Sequence, residues 1–189
     1  MSDHRMTMED EIKRDGWMDT IRGGGAVKRW HARPIIGEQT VAAHTWGMLV
    51  IADHLFPTRV RNLVLPILYH DVVEKFTGDL PADAKWREPR LKELTDKVSA
   101  DIEKVLSIHF ELTLSDQFAM SICDRMEMLW FCVEQNRLGN TNMDQVFRRV
   151  LSWFRNQNLS MQLNSIETAR VLDMLEGVYN KYGAPREVI

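Results

Sequence analysis

Apolar residues along the chain recur mostly at intervals of three and four, and this spacing predicts helices almost throughout. From 8 to 22, Ile12, Trp17, Met18 and Ile21 roughly follow it among charged residues. Gly23-Gly24-Gly25 is expected to stop this first helix and open a flexible connector. A second helix is expected over about 39–56, where Val41, Trp46, Met48, Leu49 and Ile51 surround His44 and Pro57 ends the run. A third covers about 60–75; it is apolar nearly all round, as in a central helix, and Pro66 marks a kink or a late start. Thr77-Gly78-Asp79-Leu80-Pro81 is a turn signal.

Leu91, Leu94, Val98, Ile102, Val105 and Leu106 step by three or four and predict a long amphipathic helix over about 88–109. The next, 114–138, is rich in Met and aromatic residues, with Ser115 as its expected N-cap and Gly139-Asn140 as its end. Two further amphipathic helices are expected near 142–156 and 161–182. No segment alternates with period two, and hairpin turns between β-branched runs are missing. The expected fold is all-α: a single domain over 1–189, a bundle of about six to eight helices without internal repeats.

Composition narrows the function class. With 44% hydrophobic and 27% charged residues this is an ordinary globular chain. The net charge of -3 argues against a general nucleic-acid surface, while leaving room for a local phosphate pocket. Cys123 and Cys132 have no CxxC spacing and read as free thiols in a reducing compartment. The polar stretch 1–11 is not a signal peptide, and no apolar run approaches the ~18 residues of a membrane span. A cytosolic enzyme or binding protein is the expectation, with a small-molecule ligand and neither a nucleic-acid polymer nor a membrane as partner.

Chemistry concentrates in 69–81, Tyr-His-Asp-Val-Val-Glu-Lys-Phe-Thr-Gly-Asp-Leu-Pro. Imidazole and carboxylates at the end of a buried run are costly to desolvate unless something binds them, and a divalent cation is the simplest partner. Neighbouring residues on a helix point about 100° apart, so His70 and Asp71 reach one ion only at a helix end or against a second helix. Further ligands must come from elsewhere, and His44 and Asp124 are available on other helices. Taken singly, each of these four residues has a bland reading as a cap or a satisfied core group; the cluster changes that. The donor set suits Zn, Mn, Co or Fe. Glu74, one helical turn after His70, would face the same side. The glycines at 23–25 are no P-loop, because no GK[ST] follows at the required spacing.

The pattern His44…His70-Asp71…Asp124 resembles the H…HD…D signature of the HD-domain metal-dependent phosphohydrolases. The string HD-x-x-E-x-x-TGDLP is more specific and resembles the compact deoxynucleotidase branch. That branch also carries an Arg-Trp pair ahead of the first His, where Arg29-Trp30 stands. The resemblance covers about 25–140. It implies His44, His70, Asp71 and Asp124 as metal ligands, with Zn, Co or Mn at the HD site and Mg on the substrate phosphates as a further cofactor. It implies Glu74 and Asp79 as catalytic carboxylates, Arg29 and Lys85 as phosphate contacts, and Trp30 as the residue that leaves no room for a 2′-hydroxyl. The ordinary readings are a surface ion pair with Lys75 for Glu74, an Asx turn for Asp79, a core aromatic for Trp30 and a solvated side chain for Lys85.

Two kinds of relative share these motifs: bacterial 5′-deoxynucleotidases, which act on dNMPs, and phage dATP triphosphohydrolases, which release triphosphate. The basic run Lys28-Arg29 with His31 and Arg33, and Gln39-Thr40-Val41-Ala42 before His44, lean toward the phage type. Asp83 stands where relatives carry proline; there it would accept a hydrogen bond from an exocyclic amino group of the base. The branch also implies a homo-oligomer and a cytoplasmic location, the host cytoplasm if the chain is viral. A non-catalytic HD-fold binding domain is the alternative of another class. The full ligand set with Glu74 and Asp79 weighs against it. Arg29-Trp30 and TGDLP weigh against cyclic-nucleotide phosphodiesterases and guanosine tetraphosphate hydrolases.

Overall fold

Thr7 opens the first helix. Its hydroxyl accepts from the Asp10 N–H at 3.2 Å, while the Asp10 carboxylate accepts from the Thr7 N–H at 3.0 Å. This reciprocal cap satisfies two donors that the first turn leaves orphaned. The computed structural model describes residues 6–81, 84 and 87–183. Its helices are α1 (Met8–Asp15), α2 (Trp17–Gly25), α3 (Val41–Leu55), α4 (Val60–Tyr69), α5 (Glu74–Thr77), α6 (Pro89–Val105), α7 (Leu114–Arg137), α8 (Asp144–Arg155) and α9 (Ser165–Tyr182). No strand forms among the described residues; one isolated antiparallel bridge pairs Lys28 with Thr40. The chain is all-α, as its periodicity predicts.

Two compact units can be told apart within it. The first comprises 1–32, 38–44 and 68–111, and the second 33–37, 45–67 and 112–189. The first is built on Ile12, Val72, Val73, Ile102 and Leu106, with Ile21, Tyr69, Phe76, Val98 and Ile108 packed against them. In the second, α7 buries Ile122, Met126, Leu129 and Val133, and both α8 and α9 pack on α7. There the Arg59 guanidinium binds both Glu167 carboxylate oxygens, at 2.6 and 3.0 Å, and donates to the Ser115 hydroxyl at 2.6 Å. It thereby ties the approach to α4 to the first turns of α7 and α9.

Several boundaries differ from the periodic pattern. The helix expected over 8–22 is two, because Gly16 at φ 83° lies in the left-handed region that ends α1 and precedes α2. The glycines at 23–25 do not stop α2; they are its last turn. Their role is close approach. A Cβ on Gly24 would stand 2.5 Å from the Val72 carbonyl oxygen, whereas one on Gly25 would meet only Ala42 Cβ at 3.4 Å. The expected helix 60–75 ends at Tyr69 despite running through Pro66, and His70–Val73 are turns before α5. The N-cap of α7 is Thr113, whose hydroxyl accepts from the Asp116 N–H at 3.1 Å, and not Ser115.

A prediction follows from Gly24. Helix propensity favours alanine over glycine by about 1 kcal/mol. Forcing a methyl against a fixed backbone oxygen costs about 1–3 kcal/mol and wins. Gly24→Ala lowers the thermal midpoint, while Gly25→Ala leaves it unchanged or raises it; equal effects in calorimetry would reject the close-approach account.

Candidate active site

The HD stretch occupies the turn between α4 and α5, and the first unit supplies most of what surrounds it. His44 sits in the first turn of α3 and is fully buried. Its ring centroid lies 5.5 Å from that of His70, at 46° between planes, and a ring nitrogen of each lies within 4.8 Å of the other. His70 Nε2 stands 3.1 Å from Asp71 Oδ2. Burial raises the Asp71 carboxyl, but the charge and hydrogen bond of His70, with the charges of Arg29 and His44, outweigh it and hold the group below the usual carboxylate range. Two imidazoles beside an ionised carboxylate form a donor set that fits a divalent ion of the zinc or manganese kind.

Glu74 opens α5 and is buried. The turn before it is closed by its N–H donating to the Asp71 carbonyl at 3.0 Å, and the Gly78 N–H donates to the Glu74 carbonyl at 2.8 Å. Lys75 is turned to Asp15, at 2.8 Å, and Glu11, at 3.9 Å. These are the carboxylates the lysine is paired with.

Opposite the turn, the loop from α2 to α3 returns on itself. The Arg29 N–H donates to the Gln39 carbonyl at 2.8 Å, and the Val41 N–H to the Val27 carbonyl at 2.9 Å. Arg29 is buried, and its guanidinium donates to Asp71 Oδ2 at 3.0 Å. Trp30 holds φ 64°, in the left-handed region. For a bulky L-residue that conformation costs about 1–2 kcal/mol. Two hydrogen bonds of about 1 kcal/mol each offset it. The Trp30 N–H donates to Asp79 Oδ2 at 3.0 Å, and the indole Nε1–H donates to Gln39 Oε1 at 2.7 Å.

The first unit therefore brings together Arg29, Trp30, His44, His70, Asp71, Glu74 and Asp79. Asp124 belongs to the second unit, on α7, with its carboxylate 3.8 Å from the Arg125 guanidinium. Arg125 is drawn to the Trp153 ring, 4.1 Å below it, and to the Ser121 carbonyl at 3.1 Å. Asp83 and Lys85 lie outside the described residues. Cys123 and Cys132 are buried; burial pushes the Cys123 thiol far up and that of Cys132 up to about 12, as inert thiols. Sequence reading noted Gln39 only within the run 39–42 and missed its contact with Trp30, because its amide acts on a residue nine positions away.

Residues 17–168 match the family model described as 5′-deoxynucleotidase YfbR-like. Among solved structures, the chain is similar to the HD phosphohydrolase DatZ of Cyanophage S-2L bound to dA and one catalytic Zn2+ ion. The two are 20% identical with a TM-score of 0.64, over 85% of this chain and 95% of that one, which shows a shared HD-type fold. No curated protein matches the chain by sequence.

Proposed function

This chain belongs to the YfbR-like 5′-deoxynucleotidase family, metal-dependent hydrolases acting on deoxynucleotides, and on that premise we propose that it cleaves the 5′ phosphoester of a dNTP, dATP first, releasing deoxynucleoside and triphosphate. The observation that carries the reading is the joining of two distant sequence stretches in one unit. Arg29-Trp30 is bonded to the stretch 69–81 at Asp71 in the HD turn and at Asp79 beyond α5, 42 and 49 positions along the chain.

His44, His70 and Asp71 hold the metal, with Asp124 as the fourth ligand that the HD signature assigns. When bound, a divalent ion of the Zn, Co or Mn kind supplies positive charge that polarises a phosphoryl oxygen and makes water a better nucleophile at neutral pH. Glu74 takes the proton from the attacking water as general base. A guanidinium carries five N–H donors, so Arg29 can keep Asp71 and bind a phosphoryl oxygen too. Trp30 blocks the 2′ position. Asp79 supports the leaving group while its Oδ2 holds the Trp30 backbone. Lys85 and Asp83 keep the roles that sequence assigns them, a phosphate contact and an acceptor for a base amino group.

The longer substrate is supported by the basic run beside the site. Lys28 is paired with Glu38 at 2.7 Å, but both side chains are mostly exposed. Such a pair is worth less than about 1 kcal/mol, so a polyphosphate can take the lysine over. The deoxyadenosine and zinc in the cyanophage protein support the base and the metal. The family description favours a second reading, removal of phosphate from dNMPs. Incubation with dATP and with dAMP, followed by ion-exchange analysis, separates them. Triphosphate from dATP is expected. Orthophosphate from dAMP alone establishes the second reading, and no product from a full dNTP and dNMP panel with Zn, Co, Mn or Mg leaves only a binding domain.

A further inference from the structure

Gln39 is buried, and two of its oxygens serve the Arg29-Trp30 pair: the backbone carbonyl accepts from the Arg29 N–H at 2.8 Å, and the side-chain Oε1 accepts from the Trp30 indole at 2.7 Å. The Trp30 backbone, in its left-handed conformation, donates its N–H to Asp79 Oδ2 at 3.0 Å. An indole has one donor, so its bond to Gln39 fixes the ring's rotation about its side-chain torsions, which the backbone bond to Asp79 leaves open. We propose that Gln39 is a specificity-determining positioning residue: by holding the indole of Trp30 it sets the discrimination between 2′-deoxyribo and ribo substrates.

The proposal rests on the reading of Trp30 as the residue that blocks the 2′ position. Steric exclusion works only if the blocking group cannot swing aside, because a ribonucleotide would otherwise be admitted by a rotamer change. An anchored indole makes rejection a property of the empty site, settled before substrate arrives. Gln39 does not touch the reacting phosphorus in this account, so its loss shows in substrate choice and only weakly in turnover of the preferred substrate.

The experiment compares kcat/KM for deoxyribo and ribo forms of the same nucleotide in Gln39→Leu, Gln39→Glu, Trp30→Phe, Trp30→Ala and the double variant Gln39→Leu with Trp30→Phe. Glutamate keeps an acceptor oxygen, leucine removes it at similar volume, and phenylalanine removes the indole donor. Gln39→Leu is expected to lower the deoxyribo preference about fivefold to tenfold, the scale of one lost hydrogen bond, with kcat for the deoxynucleotide within about twofold. Gln39→Glu retains most of the preference, and Gln39→Leu adds nothing once Trp30 is Phe.

An unchanged preference in Gln39→Leu, or an equal further loss in the Trp30→Phe background, overturns the proposal. Trp30→Ala separates the layers. If it leaves the preference intact, the steric reading of Trp30 fails; if it relaxes the preference while Gln39→Leu does not, only the role of Gln39 fails. Should Gln39→Leu not fold, the indole N–H resonance of Trp30, identified by its loss in Trp30→Phe, reports the same bond in Gln39→Glu and Gln39→Asn. A resonance and preference unmoved in Gln39→Asn, whose shorter chain withdraws the acceptor, also overturns it.

Discussion

His70→Ala loses bound metal and turnover together. The imidazole stands in the turn between α4 and α5, with its ring 5.5 Å from His44 and its Nε2 3.1 Å from Asp71. Removing it leaves one imidazole, the Asp71 carboxylate already bonded to Arg29 at 3.0 Å, and the proposed ligand Asp124, one donor short of a four-coordinate site of the usual kind. Metal content after dialysis, measured by elemental analysis, should fall to background. Activity should fall by at least about 10²–10³-fold, the scale on which preorganised charge stabilisation acts. The helical circular dichroism should persist, because the first unit's core is Ile12, Val72, Val73, Ile102 and Leu106, none of which changes. Asp71→Ala should behave the same way and also release Arg29. Stoichiometric metal in His70→Ala would remove His70 from the ligand set.

Glu74→Gln separates chemistry from metal binding. Glutamine has nearly the same shape but cannot accept a proton at neutral pH, and the position opens α5 with backbone bonds that do not depend on the side chain. The expected result is a kcat lowered about 10²–10⁴-fold, the usual contribution of a positioned general base. KM and metal content should be close to those of the parent. Loss of metal in this variant would make Glu74 a ligand, and retained turnover would return it to a structural carboxylate. Its lysine neighbour does not rescue that structural reading, since Lys75 is engaged by Asp15.

The helices of this protein were legible from its sequence because amphipathic spacing is a local property. Ile102 and Leu106 fall on that spacing and lie in the first unit's core, whereas the cap expected at Ser115 is taken by Thr113 and the helix expected from 161 starts at Ser165. The all-α class follows from the same spacing. The HD-x-x-E-x-x-TGDLP string was legible too, since its residues are contiguous and their chemistry is unusual together.

What tertiary structure decided concerns residues whose partners lie far along the chain. Gly24 reads as a helix stop but is a helix residue, because the Val72 carbonyl occupies the space a side chain would need. Tyr69 ends α4 where the apolar run alone would continue into 75. Arg29 pairs with Asp71, and Trp30 takes a left-handed backbone that no local signal announces, held from Asp79 and Gln39. The sequence determined which chemical groups are present and roughly where most helices run, because periodicity acts within a few residues. Only the fold decided which hydrogen bonds close between them, because a strained backbone or a close approach is stable only where long-range partners offset its cost.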